Sequence, residues 1–196
     1  EEGIDFRSED KLLTTEEIFR LIKLTSKMGV SKIRFTGGEP LLRKDLSELV
    51  QFAHQCEGIE SVHLTTNGLL LSKRIEELEK SGLSGINISL DTLDTDKFKK
   101  ITRRDGLDMV LNSLQKALAS NIQSIKLNIV AMRDFNDDEL MDFVELTKDN
   151  DITVRFIELM PFDSHQIWKT GKFYGADDIV ADIKKQVDAL KPIDGS

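Results

Sequence analysis

Short runs in which apolar and polar residues alternate recur about every thirty residues along the chain. Alternation with a period of two predicts half-buried strands. Five runs fit the pattern, at residues 32–36, 61–66, 85–90, 124–132 and 153–160. A segment with helical periodicity follows each run, so we expect the strands to pair in parallel through right-handed crossovers.

The predicted helices occupy residues 15–28, 45–56, 72–81, 94–119, 136–148 and 176–190, with more than one helical stretch in 94–119. Thr14 and Glu17 have capping-box spacing, and Asn136 and Glu139 can act in the same way. The first helix has no strand before it, and the chain begins without Met, so we interpret it as a fragment that lacks a first strand. The expected fold class is α/β, a partial, TIM-like (β/α) barrel of about five βα units. We expect residues 1–196 to form a single domain.

One side of each predicted strand is polar. Four cations lie on these sides, namely Lys32, Arg34, Lys126 and Arg155. Buried polar groups are costly unless paired, so the inside of a barrel lined this way should be wet or hold a polar ligand. The cations favour an anionic ligand such as a nucleotide or a carboxylate. The alternative is a two-layer sheet whose polar face meets solvent, although the position of the charges near strand ends favours the barrel.

Composition narrows the class of protein. The chain has 196 residues, 39% of them hydrophobic, and a formal net charge of −8. The negative charge argues against broad nucleic-acid binding, and no apolar run approaches the ~20 residues of a membrane span. Cys56 is the only cysteine, which excludes a multi-cysteine metal site within this chain and favours a reducing compartment.

The segment Gly37-Gly38-Glu39-Pro40 directly follows the first predicted strand. Glycine allows the backbone to approach a ligand closely, and Pro40 stiffens the exit from the turn. Exposed backbone groups here could bind the amino and carboxylate ends of an amino-acid-like ligand. The alternative is an ordinary glycine turn into a helix.

Five stretches together resemble one family. They are FTGGEPLLR (35–43), TTNGLLL (65–71), GLSGINISLDTL (82–93), KLNIVAMRDFNDDEL (126–140) and VRFIELMPF (154–162). The first is similar to the Gly-Gly-Glu-Pro element of radical S-adenosylmethionine (SAM) enzymes. The whole set resembles the GTP 3′,8-cyclase family of molybdenum cofactor biosynthesis. The resemblance covers nearly all of residues 1–162 and is weaker over 163–196, and it implies the partial barrel of radical SAM enzymes.

The resemblance also implies site residues. For SAM they are Gly38, through its backbone, together with Ser89, Arg155 and Met160, the last against the adenine. For GTP they are Arg34, Thr65 and Lys126. No catalytic residue and no metal ligand is assigned in this chain. His63 and Asp91 also lie on the polar side. For His63 the alternatives are a role in the site and packing, and for Asp91 they are a role in the site and a helix or turn cap.

The family's cofactors are SAM and four-iron, four-sulfur (4Fe-4S) clusters. The resemblance places the cluster cysteines before residue 1 and after residue 196, and Cys56 matches none of them. We therefore expect a longer parent to carry both clusters, and this chain alone to be inactive. The implied reaction begins with reductive cleavage of SAM to a 5′-deoxyadenosyl radical. The radical takes a ribose hydrogen from GTP, and the product is (8S)-3′,8-cyclo-7,8-dihydroguanosine 5′-triphosphate.

Two other functions stay open. One is a different radical SAM enzyme, such as a peptide-modifying one, and the other is a non-catalytic nucleotide-binding remnant that has lost its cluster cysteines. The expected partners are GTP and the small-molecule cofactor, without nucleic acid or membrane, and a homodimer is one option for assembly. The family implies the mitochondrial matrix in a eukaryote and the cytoplasm otherwise.

Overall fold

Five strands form one parallel sheet in the computed structural model, which describes residues 12–160, 172–187 and 190–191. The strands are β1 (Lys32–Phe35), β2 (Ser61–Thr66), β3 (Gly85–Ser89), β4 (Ser124–Ala131) and β5 (Thr153–Glu158). They lie in the sheet in chain order, and every neighbouring pair is parallel. The predicted α/β class, with its five strands, is confirmed. The assignment of residues 1–196 to one domain stays a prediction.

Helices connect the strands. They are α1 (Thr15–Lys27), α2 (Leu46–Gln55), α3 (Ile75–Lys80), α4 (Thr95–Thr102), α5 (Leu107–Leu118), α6 (Leu140–Asp149) and α7 (Ala176–Lys184). Short 3₁₀ turns at Pro40–Leu42, Leu71–Lys73 and Asp137–Glu139 precede α2, α3 and α6. The Thr14 capping box is confirmed, because Glu17 and Thr14 each accept the other's backbone N–H. When parallel strands follow in order with right-handed connections, their helices collect on one face of the sheet.

The apolar side of the strands packs under these helices. The strand residues Val62, Leu64, Ile86, Ile88 and Leu127 are fully buried and share one core with helix residues of α2 and α5. Burying each such side chain contributes about 1.5–3 kcal/mol. Alternate residues of β4 are buried and half-buried along its whole length, as the sequence pattern predicts. The opposite side of each strand is thereby left for the polar residues.

The stretch 94–119 contains two helices, as predicted, and they are separated at Arg103 and Gly106, whose φ angles of 58° and 145° do not fit an α-helix. Two other predicted helices have different boundaries in the structure. The segment predicted at 72–81 begins as a 3₁₀ turn and becomes α3 only at Ile75. The last helix ends at Lys184 rather than at residue 190.

The second predicted capping box is wrong. Asn136 makes no side-chain cap at the turn that follows it. Its amide instead donates to the carbonyls of Asp91 and Val130 and accepts the N–H of Met132. Asn136 therefore ties the ends of β3 and β4 together, because those backbone groups offer a buried amide full hydrogen bonding.

Glu139 is buried, with 8% of its side chain exposed, and it serves the loop after β3. Its carboxylate accepts the Thr92 hydroxyl at 2.7 and 2.9 Å and the Leu93 N–H at 2.7 Å. The ammonium of Lys97 lies 3.1 Å from the same carboxylate. A buried carboxylate is tolerable only when it is paired and hydrogen-bonded in this way.

The C-terminal part of the described chain packs against the end of the sheet. Tyr174, Ile179 and Ile183 form a small apolar cluster with Ala131 and Leu140. The tail at 163–196 is covered only in part, since residues 161–171 lie outside the described ranges. Within the described ranges, every helix is too short or too polar to cross a membrane.

Replacing Glu139 by Ala should lower the free energy of unfolding by about 2–3 kcal/mol, because the Thr92 hydroxyl and the Leu93 N–H would lose their buried acceptor. Urea denaturation measures the change. Asp138→Ala is the matched control, since the exposed Asp138 carboxylate contacts the same Lys97 ammonium, at 2.6 Å. The control should lose less than about 1 kcal/mol. Equal losses in the two variants would contradict a structural role for the buried carboxylate.

Candidate functional site

The polar sides of the five strands form one continuous surface, which we call the polar face. The strand registers arrange its residues in rows across the sheet. One row contains Arg34, His63, Gly85 and Ser124, the next contains Thr65, Asn87, Lys126 and Thr153, and the third contains Ser89, Asn128 and Arg155. Because parallel strands keep their register across the sheet, polar residues that are distant in sequence become lateral neighbours.

The structure brings the predicted cations together on this face. Burial lowers the pKa of the Lys126 ammonium, and the positive charge of Arg155 lowers it further. The charges of Lys32 and Arg34 act in the same direction. Three other cations therefore lie close enough to Lys126 to disfavour its charged form. Such a cluster of like charges is suited to an anion with several negative charges.

Two of the three residues predicted for GTP are adjacent, and the third stands in the same part of the polar face. The Arg34 guanidinium lies 3.5 Å from the hydroxyl of Thr65. Lys126 stands two strands from Thr65 in the same row, with Asn87 between them. Arg34 is exposed, whereas Thr65 and Lys126 are half-buried, so all three present accessible polar groups on the polar face.

Three of the four residues predicted for SAM follow or end a strand at the carboxyl edge of the sheet. Gly38 lies just after β1, Ser89 ends β3 and Met160 follows β5, and all three are exposed. Arg155 is an exposed residue within β5, beside Asn128. In α/β barrels this edge carries the active site. No contact among the four is established by the structure.

The Gly-Gly-Glu-Pro turn is held in place by Glu39. Its carboxylate accepts the Leu41 N–H at 3.0 Å and, on the next strand, the Thr66 hydroxyl and the Asn67 N–H, both at 2.8 Å. Glu39 therefore joins the ends of β1 and β2. The sequence analysis assigned it no role, although it is part of the motif.

The two glycines of this turn are needed for different reasons, Gly37 for its backbone conformation and Gly38 for the open space beside it. Gly37 has a φ of 132°, which a residue with a side chain rarely adopts. Gly38 is exposed, and a Cβ added there would meet no atom within 4 Å. The backbone at Gly38 is therefore open to a ligand. Arg74 supports the segment that follows, because its guanidinium donates to the carbonyls of Leu41 and Arg43.

Three polar side chains on the polar face carry buried atoms that have no hydrogen-bond partner among the described residues. These atoms are His63 Nδ1, Asn87 Oδ1 and Asn128 Oδ1. Buried polar atoms in native proteins are usually paired with protein, water or a ligand. The alternation of β3 and β4 puts both asparagines on this face, and the role of His63 was left open above. Alternation along a strand shows on which face of the sheet a residue lies, but it does not show whether the side-chain atoms have hydrogen-bond partners.

Asp91 makes a contact other than the helix or turn cap considered for it, and its site role stays a prediction. One carboxylate oxygen accepts the Val130 N–H at 2.8 Å, so Asp91 holds the backbone of β4. Burial raises the pKa of this carboxyl group, and the hydrogen bond from Val130 opposes that rise. The shift in the pKa of Asp91 thus arises from burial and from this hydrogen bond rather than from the cations of the polar face.

The parallel sheet carries a Gly-Gly-Glu-Pro turn, exposed at its two glycines, and a cationic polar face, as expected for a radical SAM enzyme, and comparison with known families gives the same class. Residues 3–147 match the model of the Radical SAM superfamily. The chain belongs to this superfamily. A solved structure described as coproporphyrinogen III oxidase from Escherichia coli, a radical SAM enzyme, shares the fold with a TM-score of 0.60 at 13% identity. The match covers 86% of this chain and 43% of that one.

Two relatives are more similar in sequence. The GTP 3′,8-cyclase of Chlorobaculum tepidum is 48% identical over 189 residues, which are 95% of this chain and 57% of the relative. Molybdenum cofactor biosynthesis protein 1 of Dictyostelium discoideum is 46% identical over 191 residues, which are 97% of this chain and 30% of the relative. The chain thus spans little more than half of the first relative and about a third of the second.

Superfamily membership implies SAM and a 4Fe-4S cluster as cofactors, as the resemblance predicted. The open backbone at Gly38 and the unpaired amide oxygen of Asn128 fit the polar groups of SAM. The cluster does not fit this chain. Its single thiol, Cys56, lies on the helical side, 3.5 Å from the Ser26 hydroxyl, and the described ranges contain no group of three or more metal-binding side chains.

Replacing Arg155 by Met should raise the pKa of Lys126, because Arg155 exerts the largest of the charge effects that lower it. NMR titration of isotope-labelled lysine side chains measures this pKa. Lys148→Met on α6 is the control, since Lys148 pairs with Glu145 and should leave the pKa of Lys126 unchanged. A Lys126 pKa that is the same in the Arg155 variant and in the original chain would show that the two side chains do not share the polar face.

Proposed function

We propose that this chain is the central part of a radical SAM GTP 3′,8-cyclase. The enzyme would convert GTP to (8S)-3′,8-cyclo-7,8-dihydroguanosine 5′-triphosphate for molybdenum cofactor synthesis. The observation that carries the proposal is the convergence of Arg34, Lys126 and Arg155 on the polar face of a radical SAM sheet. The names of the relatives that match nearly the whole chain support this substrate and this reaction.

The carboxyl edge of the sheet is the proposed binding site for SAM. The exposed Gly38 backbone would bind the amino-acid end of the cofactor, and Ser89 and Arg155 would face it from β3 and β5. Met160, with 63% of its surface exposed, would pack against the adenine. Glu39 fixes the turn through its three hydrogen bonds, so that the Gly38 backbone is positioned before a ligand arrives.

GTP would bind beside the cofactor through Arg34, Thr65 and Lys126. A guanidinium can form two parallel hydrogen bonds with a phosphate, whereas an ammonium acts as a compact point charge. Thr65 adds a neutral hydroxyl that already lies next to Arg34. The mutual repulsion of the cations, seen in the lowered pKa of Lys126, would be relieved by a triphosphate.

SAM supplies the radical chemistry when it is bound. The residues of this chain supply position and electrostatics, as proteins do for most reactive cofactors. The sheet would hold the ribose of GTP beside the cofactor, and the cations would fix the triphosphate end. The cluster cysteines would belong to a longer protein. A non-catalytic nucleotide-binding remnant is the second candidate.

Similar proteins occur in a bacterium and in a eukaryote. We propose the cytoplasm for a bacterial parent and the mitochondrial matrix for a eukaryotic one, as the family resemblance implies. The homodimer stays a prediction.

Replacing Gly38 by Ala should weaken SAM binding about tenfold or more, because a methyl group would cover the backbone that the cofactor approaches. The same variant should keep its thermal stability, since the added Cβ meets no atom within 4 Å. Equilibrium dialysis in the longer protein measures binding of SAM, and GTP affinity in the same variant is the control. Unchanged SAM affinity would remove Gly38 from the cofactor site.

Lys126→Ala in the longer protein should weaken GTP binding by about ten- to a hundredfold, the loss expected for one hydrogen bond to a charged group. Calorimetric titration with GTP measures the affinity. Lys148→Ala is the matched control, because it removes an equal charge from α6. Equal GTP affinity in the two variants would exclude Lys126 from the site. GTP binding without cyclised product, in a parent that lacks cluster cysteines, would favour the non-catalytic alternative.

A further inference from the structure

His63 packs tightly on the polar face, between Arg34 of β1 and Gly85 of β3. It is buried, with 7% of its surface exposed, and its Nδ1 atom has no partner among the described residues. The imidazole lies over Gly85 of the neighbouring strand. A Cβ at Gly85 would come within 2.5 Å of His63 Nδ1, so the ring occupies the space that a side chain would fill. The missing side chain of Gly85 therefore fixes where the imidazole sits.

Cations flank this imidazole on the polar face, from β1 on one side of β2 and from β4 on the other. On β1, Arg34 is the register partner of His63, and Lys32 precedes it on the same side. Lys126 contributes a further charge from β4, and all three cations act on His63. β3 contributes only uncharged residues next to the ring, Gly85 and Asn87.

Asp91 is not among the charges that act on His63. Its carboxylate lies at the far end of β4, where it accepts the Val130 N–H. Burial, followed by the charges of the three surrounding cations, lowers the pKa of His63 to about 4. The imidazole is therefore neutral at pH 7.

We propose that His63 is a further ligand-binding residue of the polar face, which takes up a proton from solvent when a polyphosphate binds and donates an N–H hydrogen bond to it. The inference rests on the proposed function, because the phosphates of the nucleotide are the intended ligand. The proton moves from water to the imidazole, and no covalent bond of the ligand is made or broken. The residues proposed above to bind GTP are Arg34, Thr65 and Lys126, so His63 is an addition to them.

The physical reason is the change in charge around the ring. A triphosphate neutralises the cations that disfavour the imidazolium and supplies oxygen acceptors in their place. An imidazolium has two N–H donors and no acceptor, which suits a site filled with phosphate oxygens. Opposite charge can return the pKa of a buried group to or above its ordinary value. We expect the pKa of His63 in the complex to be about 7.

The sign of the pH dependence follows from this rise. A group whose pKa is higher in the complex than in the free protein strengthens binding as the pH falls through the higher pKa. With pKa values of about 4 and about 7, the contribution of His63 to affinity should increase about tenfold from pH 8 to pH 6. Protonation of the ligand itself changes equally for every variant, so the comparison between variants isolates His63.

Calorimetric titration of the full chain with inorganic triphosphate tests the proposal. Buffers with different heats of ionisation report the number of protons taken up, and we expect His63 to contribute about half a proton per ligand at pH 7. His63→Gln should remove that contribution and the tenfold pH dependence that comes with it. His54→Gln, which changes an exposed histidine on α2, should retain both. Proton uptake that is equal in the two variants would overturn the proposal.

A second measurement does not depend on the folding of the His63 variant. The chain has three histidines, so His54→Gln combined with His165→Gln leaves His63 as the only imidazole. NMR titration of its ring nitrogens should show the pKa rising from about 4 to about 7 when inorganic triphosphate is added. If the imidazole stays neutral in the complex, His63 has only a packing role and the inference is overturned. That result would not affect the proposed GTP site. Failure of both inorganic triphosphate and GTP to bind would overturn the proposed function as well.

Discussion

Each strand of this sheet has one apolar side, and that side must be covered by helices. The chain-order parallel sheet allows a single solution, in which the helices collect on one face and bury residues such as Leu64, Ile88 and Leu127. The gain from this burial holds the strands in register. The register in turn forces the other side of every strand, with its four cations, onto one surface. Everything inferred about binding depends on this consequence of apolar burial.

The cationic surface is costly for the folded state. Lys126 and His63 both have lowered pKa values because neighbouring positive charges and burial disfavour their charged forms. Charges of one sign held together without partners destabilise the fold unless a counter-charge binds. Proteins retain such arrangements mainly at functional sites. The cluster of charge is therefore a stronger sign of a ligand than any one of its residues.

Two acids, the half-buried Glu39 and the buried Glu139, give the loops at the carboxyl edge their shape. Glu39 joins the turn after β1 to the end of β2, and Glu139 joins the loop after β3 to the start of α6. Both carboxylates accept several hydrogen bonds, among them backbone N–H groups that would otherwise be unsatisfied. A binding edge built from loops needs such internal supports, since loops have few apolar contacts of their own. Asn136 has the same function between β3 and β4.

The sequence alone determined the elements that depend on neighbours in the chain. Period-two alternation located the five strands and the side on which Arg34, Lys126 and Arg155 stand, and the Gly-Gly-Glu-Pro motif identified the class of enzyme. Only the tertiary structure decided which distant groups meet. The partners of Glu139 lie more than forty residues away in sequence, and the place of His63 depends on a glycine in another strand. A local sequence pattern shows which chemical groups a residue carries and on which face of the sheet it lies. Its hydrogen-bond partners and charged neighbours depend on strand register and packing, which cannot be read from a short segment.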